Sequence, residues 1–177
     1  STGKPVGGYE ARIVDEEMHE VPRGTVGKLA VRGPTGCRYM ADARQRDYVR
    51  DGWNLTGDAF LQDEDGFFHF AARSDDMIIS AGYNIAGPEV EAALIAHADV
   101  AECAVIGAAD GERGQIVEAH VVLMAGVLPD EATVKRLQDH VKAMIAPYKY
   151  PRSVKFLEAL PKTATGKIQR FRLRTEH

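Results

Sequence analysis

The chain has 177 residues, of which 45% are hydrophobic and 27% are charged. These proportions are typical of a globular protein and exclude a disordered or fibrous chain. The 22 basic and 26 acidic residues give a net charge of −4, which disfavours binding to duplex nucleic acid or to an anionic membrane. Cys37 and Cys103 lie far apart and form no metal-binding or disulfide pattern. Without an apolar run long enough to span a bilayer, or a signal-peptide pattern, the sequence predicts a soluble, cytoplasmic protein.

Residues 1–73 favour short strands joined by glycine-rich turns. Polar and apolar residues alternate in Tyr9–Val14, Lys28–Arg32 and Phe67–Ala72, as they do in half-buried strands. This part has little bulky apolar content, and no long helix is predicted to cover its sheet. We therefore expect residues 1–73 to be a small β-rich subdomain that belongs to a larger N-terminal domain.

Residues 74–177 predict a compact C-terminal domain of the α+β class, with a three-stranded sheet and flanking helices. Pro88 and the acidic residues after it are typical of the first turn of a helix. A second helix is predicted at Asp130–Ile145, where apolar residues recur on one face. The predicted strands are Val100–Ile106, Ile116–Leu123 and Val154–Leu157.

Two polar segments near residue 73 are candidates for a nucleotide site. Asp51–Asp58 ends in Thr-Gly-Asp, where a sharp backbone bend beside a carboxylate suits a pair of ribose hydroxyls. By itself, Gly-Asp is also ordinary turn chemistry. In Arg73–Ile85, an arginine and two aspartates precede an apolar run, followed by a glycine. In the functional interpretation, the arginine lies near a nucleotide, Asp75 is a hinge and a ligand passes close to Gly82. The alternative is a solvated charge cluster that precedes a buried strand.

A third segment, Pro161–Arg170, has a lysine after a loop rich in threonine and glycine. Such a loop can bring Lys167 onto negative charge that develops at a phosphate or carboxylate. The alternative is a solvated surface lysine, which is the commonest state of that residue.

The three motifs, in this order, resemble the adenylate-forming superfamily of acyl-CoA synthetases, carrier-protein adenylation domains and luciferases. The resemblance covers essentially the whole chain, at the C-terminal end of the superfamily. It rests on Trp-x-x-Thr-Gly-Asp at 53–58, Arg-x-Asp-Asp at 73–76, Gly-Tyr-Asn-Ile at 82–85 and Pro-Lys-Thr-x-x-Gly-Lys-Ile-x-Arg at 161–170. Gly33–Asp42, Arg50–Asn54 and Met77–Ile85 further resemble CoA ligases that act on benzoate or 2-aminobenzoate.

The resemblance implies a reaction in two steps. A carboxylic acid, aromatic or other, reacts with ATP to give an acyl-adenylate and pyrophosphate. The mobile C-terminal domain, residues 74–177, then rotates, and the thiol of CoA attacks the acyl-adenylate and displaces AMP. Residues 1–73 would be the end of the N-terminal domain that binds nucleotide and acyl substrate. The matching motifs imply these roles: Asp58 binds the ribose hydroxyls, Arg73 assists at ribose and phosphate, Asp75 is the hinge, Lys167 bridges the acyl carboxylate and the α-phosphate, and Gly82 and Tyr83 line the pantetheine passage.

Some features of the family differ or are missing. The family usually has glycine at the position of Ala72, a basic residue at that of Leu55 and often serine at that of Thr165. Its phosphate loop, adenine-binding segment, acyl pocket and the glutamate associated with Mg²⁺ would lie upstream. We therefore expect Mg²⁺ to be bound mainly by upstream residues, no metal site in this chain, and no activity from the 177 residues alone.

Three alternatives stay open at this point. The acyl acceptor could be the pantetheine of a carrier protein instead of CoA. The chain could be a non-catalytic module that binds nucleic acid through its basic tail 167–174, although the net charge and the single tail aromatic, Phe171, argue against this. Lys167 could also be a regulatory site, because lysines in this motif resemble acetylation targets of the family and would meet an acetyltransferase and a deacetylase.

Overall fold

The computed structural model describes residues 1–35 and 48–174, and part of the Gly33–Asp42 motif and Cys37 lie outside them. The chain divides into two compact units, Ser1–Asp75 (unit 1) and Asp76–His177 (unit 2). The sequence places the boundary two residues earlier, after Arg73, and the roles assigned to the two domains stay predictions.

Unit 1 contains an antiparallel sheet built on one long strand. Its strands are β1 (Glu10–Val14), β2 (Gly27–Arg32), β3 (Val49–Arg50), β4 (Trp53–Gln62) and β5 (Phe68–Arg73). The order is β1-β2-β4-β3, and β5 also pairs with β4. Alternation places Ile13, Phe60 and Phe68 in one buried cluster. The predicted strands are confirmed to within two residues at either end.

Within its described residues, 76–174, unit 2 has a mixed sheet and three α-helices. Its elements are β6 (Met77–Ser80), β7 (Tyr83–Ala86), α1 (Gly87–Ile95), β8 (Val100–Asp110), β9 (Gly114–Leu123), α2 (Glu131–Met144), β10 (Ser153–Phe156) and α3 (Arg170–Arg174). The sheet order is β10-β9-β6-β7, with β8 also paired to β9. Only β10 and β9 run parallel.

The α+β class is confirmed, but the sheet of unit 2 has five strands where the sequence predicts three. The three predicted strands are β8, β9 and β10. The additional two form the β6–β7 hairpin, which joins the sheet through the single pair Ser80–Gly114. The sequence predicts a site motif or a buried strand over this stretch and does not predict the hairpin.

The helices begin where local chemistry favours them. Pro88 occupies the first turn of α1, where its missing N–H costs no hydrogen bond. Asp130 caps α2, because its side chain accepts a hydrogen bond from the backbone N–H of Thr133 at 2.8 Å. Leu137 and Val141 then lie fully buried on the inner face of α2, in the largest apolar cluster of unit 2.

Candidate functional site

The candidate nucleotide residues of unit 1 lie together at the junction of β4 and β5. Asp58 is paired in register with Arg73, and Arg73 Nε lies 3.3 Å from Asp58 Oδ1 and 3.9 Å from Asp75 Oδ1. The Arg73 side chain is 63% exposed and that of Asp58 31%. An arginine this exposed can leave a carboxylate for a ligand at little cost, since exposed ion pairs contribute at most about 1 kcal/mol.

A β-bulge presents Asp58 at this place. In the pairing of β2 with β4, Lys28 lies opposite Ala59 and Ala30 opposite Leu55, so 56–58 of β4 face a single residue of β2. Gly57 has a φ of +80°, which glycine adopts without steric cost. The predicted turn at Thr-Gly-Asp is therefore a bulge within a strand, a feature that re-aims side chains and is frequent beside active sites.

Gly82 lies in the two-residue turn of the β6–β7 hairpin. The φ angles of Ala81 and Gly82 are +50° and +81°, and positive values at both positions define the tight turn that matches the twist of a hairpin. A Cβ at Gly82 would meet no atom within 4 Å. The backbone, rather than crowding within unit 2, therefore requires glycine here, and the space beside it is open.

Tyr83, the residue after this turn, stacks on a second tyrosine, Tyr148, which no sequence motif indicated. The rings of Tyr83 and Tyr148 are 4.6 Å apart with an interplanar angle of 29°, and both side chains are largely exposed. The stack therefore leaves part of the apolar area of both rings open to solvent. Tyr148 lies between Pro147 and Pro151, just beyond the end of α2.

Lys167 lies on a loop that its own backbone closes. The strand-like pair Lys162–Ile168 forms the base of the loop. Thr163 N donates to Lys167 O at 2.8 Å, and Thr163 Oγ1 accepts from Lys167 N at 3.1 Å. Gly166, with φ +82°, allows the tight reversal. Lys167 is exposed, and within the described residues its ammonium group forms no ion pair.

Two ion pairs attach this loop to the rest of unit 2. Lys162 Nζ lies 2.7 Å from Glu102 Oε2 on β8, and Arg170 Nη2 lies 2.8 Å from Glu91 Oε1 on α1. The backbone is fixed as well, since Gln169 N donates to Pro161 O at 2.8 Å. The Lys167 ammonium therefore extends from an anchored loop.

The structure thus groups the predicted residues into three places. Asp58, Arg73 and Asp75 lie together in unit 1, Gly82 and Tyr83 lie on one hairpin of unit 2, and Lys167 lies on a separate loop of unit 2. Across residues 1–35 and 48–174, no group of His, Cys, Asp and Glu side chains could hold a metal ion. In the same residues, no helix has the length and apolar character needed to cross a membrane.

Comparison with known proteins relates this geometry to one group of enzymes. Residues 89–167 match the family described as the AMP-binding enzyme C-terminal domain. The chain is 46% identical over 178 residues to an uncharacterized acyl-CoA ligase of Bacillus subtilis, covering 98% of this chain and 34% of that protein. Benzoate–CoA ligase of Thauera aromatica is 42% identical over 178 residues, covering 99% of this chain and 34% of its own length.

Comparison with solved structures points to the same group of enzymes. The crystal structure of the anthranilate CoA ligase AuaEII in complex with anthranoyl-AMP is 42% identical, with a TM-score of 0.77. It covers 99% of this chain, and this chain covers 34% of it. The chain thus spans about a third of the length of the relatives that it matches.

Proposed function

Because the chain belongs to the adenylate-forming enzymes, as a segment that includes their AMP-binding C-terminal domain, we propose that the full-length protein is an AMP-forming acid–CoA ligase. Its substrates are ATP, CoA and a carboxylic acid of the aryl class, benzoate or 2-aminobenzoate. The proposed acid rests on similarity to a benzoate–CoA ligase and to an anthranilate CoA ligase. The observation that carries the proposal is Lys167, an exposed cation on a closed and anchored loop at the end of the matched family segment.

The first step requires a cation between two anions. The carboxylate oxygen of the acid must approach the α-phosphate of ATP, and each carries negative charge that repels the other. An ammonium group placed between them stabilises the negative charge on the carboxylate oxygen and on the α-phosphate oxygens while the new bond forms and pyrophosphate leaves. Such contacts contribute about a hundredfold or more in rate. We assign this role to Lys167, and Mg²⁺, bound mainly by upstream residues, would accompany the ATP phosphates.

Unit 1 would hold the nucleoside. The Asp58 carboxylate can accept hydrogen bonds from both hydroxyls of a ribose, and the exposed Arg73 can turn from Asp58 and Asp75 towards ribose and phosphate. Asp75 is the last residue of unit 1, which suits the role of a hinge between two bodies. Each of these assignments is a proposal supported by position and chemistry.

The second step requires that a different face of the C-terminal domain meet the substrate. A thiol that attacks an acyl-adenylate needs no cation between two oxyanions, so Lys167 should matter only to the first step. We propose that rotation at Asp75 then presents the β6–β7 hairpin, where Gly82 and Tyr83 line the path of the pantetheine arm. The open space beside Gly82 is compatible with that role.

The test separates the two steps in the full-length protein carrying Lys167→Ala. We expect ATP–pyrophosphate exchange with benzoate or 2-aminobenzoate to fall by about a hundredfold or more, while CoA still consumes preformed acyl-adenylate at the normal rate. Lys135→Ala, at an exposed lysine of α2, is the matched control and should leave both rates unchanged. Undiminished exchange by Lys167→Ala would refute the proposal.

The same assay identifies the molecule that accepts the acyl group. Release of free acyl-CoA supports the ligase, whereas acyl transfer only to a carrier-protein pantetheine would support the adenylation-domain alternative. The cytoplasmic location, the acetylation of Lys167 and the inactivity of the 177 residues alone stay predictions.

A further inference from the structure

Helix α1 carries two glutamates that form ion pairs with different segments of unit 2. Glu89 and Glu91 are two positions apart, so at 3.6 residues per turn their side chains project about 200° from one another around the helix axis. One helix can therefore hold a separate segment on each side. The segments that these two carboxylates contact are the ones that lead to Lys167 and to Tyr83.

Glu91 holds the segment that directly follows the Lys167 loop. Arg170 Nη2 donates to both carboxylate oxygens of Glu91, at 2.8 and 2.9 Å, and Glu91 Oε1 also accepts from Val105 N at 2.8 Å. Arg170 is three residues beyond Lys167 and begins α3. The carboxylate thus connects α1, β8 and the end of the loop at a single point.

The surroundings of this pair are partly shielded from water. The side chains of Glu91 and Arg170 are 16% and 24% exposed, and Cys103 Sγ donates to Glu91 O at 3.5 Å. Burial, followed by the negative charge of Glu91, raises the pKa of the Cys103 thiol to about 12. Solvent screens charges less in such a place, and loss of one partner leaves the other uncompensated.

Glu89 holds the segment that contains Tyr148. Lys149 Nζ lies 2.7 Å from both carboxylate oxygens of Glu89, and its side chain is only 16% exposed. Lys149 ends a short 3₁₀ turn, Pro147–Lys149, whose middle residue stacks on Tyr83. Fixing Lys149 therefore fixes the ring on which Tyr83 rests.

We infer that Glu91 is a positioning residue for Lys167, acting through Arg170 in adenylation, and that Glu89 is a positioning residue for the Tyr83–Tyr148 pair, acting through Lys149 in thioester formation. The inference rests on the function proposed above. Neither carboxylate touches the reacting atoms. Each holds one functional segment against α1, so the two steps depend on different side chains of one helix.

The experiment measures both half-reactions in the full-length protein carrying Glu91→Gln or Glu89→Gln. Glutamine keeps the size and the hydrogen-bonding oxygen but removes the charge. Because a displacement of about 1 Å can cost about a hundredfold in rate, we expect Glu91→Gln to lower pyrophosphate exchange by about ten- to a hundredfold and to leave thioester formation within about twofold. Glu89→Gln should give the reverse pattern.

Two further variants separate positioning from a general loss of structure. Glu91→Gln added to Lys167→Ala should lower exchange no further, because a residue that acts through Lys167 has no effect without it. Arg170→Lys keeps the charge but loses the planar donor group, and it should fall between wild type and Glu91→Gln; it replaces Glu91→Gln should that variant not fold. Asp139→Asn, which removes the negative charge from the exposed Lys135–Asp139 pair on α2, is the control that should change neither step.

The outcomes distinguish this inference from the proposed function. If Lys167→Ala abolishes exchange but Glu91→Gln leaves it intact, or lowers both steps equally, the positioning role is wrong and the function stands. If Lys167→Ala itself leaves exchange intact, the proposed function fails first. Opposite losses from the two glutamine variants, with the control at the wild-type rates, support the inference.

Discussion

Replacement of Gly82 by alanine isolates the backbone requirement of the hairpin turn. The space beside Gly82 is open, so the added methyl group causes no clash and the cost comes from φ alone. A residue with a Cβ in the left-handed region loses about 1–2 kcal/mol. Alanine also lowers the conformational entropy of the unfolded chain, which offsets about 0.4–1 kcal/mol of that loss. The net expectation is a loss of about 1 kcal/mol in the free energy of unfolding.

Gly126 offers a matched control within unit 2. Its φ is +88°, and a Cβ there would likewise meet nothing within 4 Å. Gly126→Ala and Gly82→Ala should therefore lower the free energy of unfolding by similar amounts, about 1 kcal/mol each. Urea unfolding followed by far-ultraviolet circular dichroism, to which the helices of unit 2 contribute, measures both. A Gly82→Ala chain as stable as wild type would contradict the assignment of strain to this turn.

The two alanine variants should differ in function. In the full-length protein, only Gly82→Ala places a methyl group beside the proposed pantetheine path, so only Gly82→Ala should slow the reaction of preformed adenylate with CoA. Pyrophosphate exchange should stay normal in both. If Gly126→Ala slows the CoA reaction equally, the effect is one of stability, and the hairpin has no special part in thioester formation.

Two further predictions follow from titrating groups of unit 2. Hydrogen bonds from Thr133, its backbone N–H first, lower the pKa of the Asp130 cap. The stability that the cap gives is therefore fully present above the unfolded pKa of about 3.9 and is lost as the pH falls through the lower folded value. Asp130→Asn keeps the acceptor but does not titrate, so its unfolding midpoint should change less with pH below about pH 4. The buried Cys103 thiol, with its pKa raised to about 12, should react with iodoacetamide at pH 8 roughly a thousandfold more slowly than an unfolded thiol. A Cys37→Ser chain assayed with and without urea measures this, and fast alkylation of the folded chain would show that Cys103 is accessible.

Local patterns predicted most of the regular elements but not the pairing of the hairpin. Alternation, a proline at a helix start and apolar residues recurring on one helix face are signals within a few residues, and the strands and helices that they indicated are present. Strand β4 and the β6–β7 hairpin were missed as elements because their residues had been assigned to binding motifs. The bulge at 56–58 depends on β2, which lies far away in the chain, and no local signal indicates a register shift.

The contacts of the candidate site were less predictable than its residues. Asp58, Arg73 and Lys167 could be selected from motif order, yet the pairing of Asp58 with Arg73 depends on the register of β4 with β5. Glu91 and Arg170 are 79 positions apart, and Tyr148 meets Tyr83 only through the packing of a 3₁₀ turn. Charge and aromatic character are visible in a sequence, but which partner each side chain meets is decided by tertiary packing.

The two ion pairs of α1 suit a reaction whose two steps need different residues beside the substrate. Under the proposed function, a cation that stabilises adenylation has no part in the attack of the thiol, so the protein would present Lys167 and the Tyr83 hairpin in turn. If each segment were held only by its own loop, every change of position would also reorder side chains, at a cost of about 0.5–1.5 kcal/mol for each long one immobilised. Holding both segments to one helix by ion pairs keeps their side chains ordered throughout, so that a rotation at Asp75 need change only which face meets the substrate.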